Sequence, residues 1–140
     1  MKGVVRQSLK EEPGCREISE ALKKLTAGYS LYFPQAKAPP IVSSVSLRSR
    51  RLSDIARVEL NFNGSTTKLY VKVHKKPTSP LERVRRKAKL EFDTLSYLHG
   101  KFREIPACSV VRPIAFFPDE MAVVTAAAEG ENLHQVIKKQ

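Results

Sequence analysis

Two alternating runs hinged on Asn63-Gly64 constrain this chain more than any other feature. Ile55 to Phe62 and Thr66 to His74 each follow the two-residue period of a half-buried strand. Asn and Gly both tolerate positive φ, which a two-residue hairpin turn demands. Val42 to Arg48 is β-branched and alternating as well, and supplies a strand ahead of the hairpin.

A helix follows. Ser79-Pro80-Leu81-Glu82 has the order of an N-cap, a first-turn proline and a capping-box glutamate. Leu81, Val84, Ala88, Glu91, Phe92, Leu95 and Leu98 fall on one helical face, and Gly100 suits a left-handed C-terminal cap. Two further strands fit Val110 to Phe117 and Met121 to Ala126, joined by Pro118-Asp119, and another helix begins near Asn132. Ahead of the strands, residues 1–14 are polar. Ile18, Ala21, Leu22 and Leu25 then predict a short amphipathic helix ending before Gly28, and Pro34, Pro39 and Pro40 mark an extended connector. The expected class is α+β: a five-stranded antiparallel sheet with one main helix, preceded by a short N-terminal helix. The expected divisions are a helical extension and linker at 1–40, a sheet-and-helix unit at 41–126, and a hinge with a further start at 127–140.

With 140 residues and 41% apolar content, the chain has room for one modest core. No apolar run approaches the length of a membrane span, and the N-terminus lacks a signal peptide's apolar stretch. Cys15 and Cys108 match no metal-ligand spacing, which makes a reduced, cytoplasmic setting the default and assigns both to packing or surface. His74 and His134 read as isolated and exposed. The net charge of +11 gathers in Arg48 to Arg51, Lys72 to Lys76 and Arg83 to Lys89. Clusters of this kind attract polyanions, or form a solvated face.

Two charges in apolar settings carry the chemistry. In the strand ending at His74, Leu69, Val71 and Val73 point one way, while Tyr70, Lys72 and His74 point the other. A lysine there is either solvated or aimed at a bound anion. Glu91 tips the choice, because a carboxylate on an apolar helix face is costly unless paired. A helix beside the sheet would bring Glu91 to Lys72 around the sheet edge.

Leu69-Tyr70-Val71-Lys72 resembles the strand that bears the ATP lysine in the protein-kinase-like superfamily. Glu91-Phe92-Asp93-Thr94-Leu95 resembles its helix-glutamate segment, 19 residues on. Val111-Arg112-Pro113-Ile114 resembles the fourth strand, and Val123 to Leu133 the fifth strand, the hinge and a Gly-x-x-Leu helix start. From about Ser44 to Ile137 the chain looks like the N-terminal lobe of that superfamily, nearest to aminoglycoside or choline phosphotransferases and lipopolysaccharide kinases. The resemblance implies an ATP-binding lobe of an enzyme that phosphorylates a small-molecule or saccharide hydroxyl. Lys72 would hold phosphates, Glu91 would orient Lys72, and Ser53 would lie near the phosphates. Thr125 would be the gatekeeper, and the backbone of Ala126 and Ala128 would meet adenine. The stretch Ser49 to Asp54 departs from the family's phosphate loop: it has no glycine and is crowded by Arg48, Arg50 and Arg51. Tyr70 stands where a smaller residue is usual. The family's catalytic Asp and metal-binding Asp find no counterpart here, so no catalytic residue is assigned. Mg²⁺ is expected only with a C-terminal lobe, and the isolated chain is expected not to turn over.

Two other classes fit parts of the sequence. A basic nucleic-acid-binding module explains the charge, although the strands lack a clear stacking pair of aromatics. A non-catalytic partner-binding domain would use a lobe-like fold to dock on another chain.

Overall fold

The structure, a computed structural model, describes residues 15–75, 80–103 and 111–127. In chain order the elements are α1 (Cys15–Ala27), α2 (Tyr29–Tyr32), β1 (Ile41–Ser49), β2 (Ser53–Phe62), β3 (Ser65–His74), α3 (Leu81–Phe102), β4 (Pro113–Phe117) and β5 (Ala122–Ala126). All strand pairs are antiparallel, in the order β1-β2-β3-β5-β4. The α+β class with a five-stranded antiparallel sheet, one main helix and a short N-terminal helix therefore stands.

The β2–β3 turn forms where the sequence places it. Asn63 and Gly64 take φ of 51° and 94°, and the Gly64 N–H donates to Asn61 Oδ1 at 2.8 Å. Phe62 pairs with Ser65, and the register runs unbroken to Ser53 and His74. Period-two alternation then sorts side chains onto two faces. Ala56, Val58 and Leu60 of β2 join Leu69, Val71 and Val73 of β3 on one face. Ile18, Ala21, Leu22 and Leu25 of α1 cover that face, together with Phe33, and all four helical residues are buried. Burying four such side chains contributes about 1.5–3 kcal/mol for each large one. Lys24 fastens the far end of α1: its Nζ lies 2.8 and 2.9 Å from the two carboxylate oxygens of Glu120, in the β4–β5 turn. These hydrogen bonds hold the Lys24 ammonium above its usual pKa.

The opposite face receives α3. Val84 and Ala88 are buried against Met121 and Val123, with Phe92, Leu95 and Phe116 around them. Phe92 stacks on Phe116 at 6.1 Å between centroids. The helix thus lies over β5 and β4, so the sheet is covered on both faces at that end.

Several local expectations need correction. Pro80 is the N-cap residue itself (φ −59°, ψ 145°), with no side-chain cap; Ser79 lies outside the described residues. Gly100 is helical, without the positive φ of a left-handed cap, and α3 continues to Phe102. The connector after α1 begins with the short helix α2, held by the Leu31 N–H on the Gly28 carbonyl and the Phe33 N–H on the Tyr29 carbonyl. Met121, expected to open the last strand, instead takes a positive φ (53°) in the β4–β5 turn, and β5 begins at Ala122. Val110 and the helix expected near Asn132 lie outside the described residues. Among the described residues, no helix is long and apolar enough to cross a membrane.

Candidate functional site

The open end of the α3-side face is built from β3, β2, β5 and α3. Alternation puts Tyr70, Lys72 and His74 on this face, as the sequence predicts, since Leu69, Val71 and Val73 are drawn to the other core. In the ladder Lys72 stands between Ile55 of β2 and Val123 of β5. Glu91 is on the third turn of α3, one turn beyond Ala88, which is fully buried. Anchoring α3 through Ala88 and Val84 delivers Glu91 to Lys72 across Val123. The two charges meet over the face of the sheet and not around its edge as expected.

Lys72 Nζ donates to Glu91 Oε1 at 2.8 Å. The second oxygen is also taken: His74 Nε2 lies 2.9 Å from Glu91 Oε2. A carboxylate only accepts, so the proton on this contact sits on His74 Nε2. The expectation that His74 is isolated and exposed is therefore overturned; its side chain is 15% exposed. The signal was present in the sequence. Residues 72 and 74 share a face, and a carboxylate brought to one has a second oxygen for the other. The two donors drive the Glu91 carboxyl down to about 2 from the ordinary 4.5. The His74 hydrogen bond is the largest cause, followed by partial burial, which opposes it, and then by Lys72.

 Beside this ion pair lies a cavity of about 370 Å³. Its wall is formed by Ile55, Tyr70, Leu95, Val111, Val123 and Thr125, together with Lys72 and Glu91. Its lining is apolar apart from that pair and the Tyr70 and Thr125 hydroxyls, and its volume lies within the range of small-molecule sites.

The expected site residues divide as follows. Lys72, Glu91 and Thr125 meet at the cavity. Ser53 pairs with His74 at the start of β2 and is buried on the same face, beyond the cavity wall. Ala126 ends β5; its N–H donates to the Arg112 carbonyl at 2.9 Å, and the Ala127 N–H donates to the Lys68 carbonyl at 3.0 Å. Both amides are committed to the backbone; Ala128 lies outside the described residues.

The β1–β2 tip is fixed by a second polar cluster. Asp54, almost wholly buried, accepts from Ser49 Oγ at 2.7 Å and pairs with Lys75 Nζ at 3.0 Å. Lys75 also donates through Nζ to the Arg50 carbonyl and through its N–H to the Leu52 carbonyl. The tip is thus held to the end of β3 without any glycine.

Among the described residues, no group of three or more His, Cys, Asp or Glu side chains is placed to hold a metal ion. Comparison with protein-family models, with curated proteins and with solved structures returns no match for this chain.

Proposed function

We propose that this chain is the ATP-binding lobe of a kinase-like phosphotransferase acting on a small-molecule or saccharide hydroxyl. One observation carries the proposal: a strand lysine held by a helix carboxylate in the lining of an apolar cavity. Fixing the ammonium at 2.8 Å removes much of the entropy that a free lysine would lose on gripping a phosphate. The apolar wall of Val123, Ile55 and Leu95 suits a flat base, with Thr125 and Tyr70 at its border. Tyr70, also in the cavity lining, is 38% exposed. These residues bind and orient; no step of phosphoryl transfer is assigned to them. Mg²⁺ would be held by carboxylates outside this set.

The test is thermal unfolding of the chain with and without ATP. A ligand that binds only the folded state raises Tm with concentration. The expected result is an ATP-dependent rise, read against each protein's own unliganded Tm, that Lys72→Met abolishes. No rise in the wild-type chain at millimolar ATP refutes the proposal.

A further inference from the structure

The α3-side face carries more positive charge than one phosphate-gripping lysine needs. Cross-strand register places Arg48 opposite Ile55, and Ile55 opposite Lys72. In the adjacent row Ser46 stands opposite Arg57, and Arg57 opposite Tyr70. Paired residues point the same way, so Arg48, Arg57 and Lys72 share one face. Arg57 is the diagonal neighbour of both others, and the Cα atoms of Arg48 and Lys72, two strands apart, are about 10 Å from each other. Arg48 and Arg57 are exposed, and neither has an ion-pair or hydrogen-bond partner among the described residues. The carboxylates of this face are Glu91, already held by Lys72 and His74, and Glu59, which forms no ion pair among the described residues.

The β1–β2 tip gives these cations a purpose. A glycine-rich loop grips phosphates through free amides, yet here the Arg50 N–H is donated to the Ser53 carbonyl at 2.8 Å, and Lys75 pins the tip. With that amide committed and the tip pinned, the exposed side chains of this face are the better-placed phosphate donors. Guanidinium groups suit that task, because each presents a planar fork of donors to two phosphate oxygens.

We propose that Arg48 and Arg57, with Lys72, grip the polyphosphate of a nucleoside triphosphate on the open face of the sheet. This rests on the ATP-binding role proposed above and specifies how that site takes its ligand.

The test is isothermal titration of the full chain with metal-free ATP, ADP, AMP and inorganic tripolyphosphate. Affinity should rise from AMP through ADP to ATP. Arg48→Gln and Arg57→Gln should each weaken ATP about tenfold, as expected for losing a charge-assisted hydrogen bond. AMP should be affected less, and Arg57→Lys should fall between wild type and Arg57→Gln. Both positions are exposed, so an unchanged Tm verifies that the variants fold. Wild-type ATP affinity in both glutamine variants overturns the proposal. If tripolyphosphate binds as tightly as ATP and the variants weaken both, the arginine grip stands and the nucleotide role fails. If the wild-type chain binds neither, both fail.

Discussion

Replacing Glu91 with Gln keeps the side chain's shape and removes its charge. In the folded protein the Glu91 carboxyl titrates at about 2 instead of 4.5. That difference sets an upper limit of roughly 3 kcal/mol on what the charged form contributes. Lys72 is 36% exposed, so solvent screening brings the expected loss to about 1–2 kcal/mol. The sign follows from the lowered value: the contribution is complete above pH 4.5 and disappears as pH falls toward 2. Urea unfolding followed by far-ultraviolet circular dichroism, at steps from pH 7 to pH 3, measures wild type and variant side by side. The wild-type chain should lead at pH 7, and roughly half or more of that lead should be gone by pH 3. A gap that stays constant across this range, or lies below about 0.5 kcal/mol at pH 7, would refute a stabilising role for the carboxylate.

Other substitutions probe the remaining contacts. His74→Leu should raise the Glu91 carboxyl back toward its ordinary range, seen by carbon-detected NMR titration, whereas His74→Gln, which keeps a donor, should restore part of the depression. Asp54→Ala leaves Lys75 without its buried carboxylate and should cost about 3 kcal/mol; hydrogen exchange should quicken first at the β1–β2 tip, and unaltered exchange there would count against the clamp. Leu25→Ala should lower stability by about 3 kcal/mol in chemical denaturation, because Leu25 is fully buried under the sheet. A loss below 1 kcal/mol would show that α1 is not part of the core.

Legibility in the sequence followed the range of the interactions. The β2–β3 hairpin was readable because its turn chemistry lies in two adjacent residues and its alternation in the flanking ten. The Lys72–Glu91 pair was readable because each charge sits in an apolar pattern that makes isolation costly. His74 was misjudged because its partner, the second oxygen of Glu91, emerges only when α3 is placed. Asp54 with Lys75 needs the β2–β3 register, and Lys24 with Glu120 joins residues 96 apart. Helix ends were the least readable. Pro80 and Gly100 have strong local preferences, yet neither ends up in the position those preferences suggest.

The way α1 is seated has a consequence for protein engineering. A proline-marked connector separates it from β1, while its apolar stripe completes the far core of the sheet. Cutting the backbone within that connector would yield a short peptide and a receptor with matching surfaces. Mixed in solution, the two halves should reassemble, making the first helix a removable plug whose return can be timed.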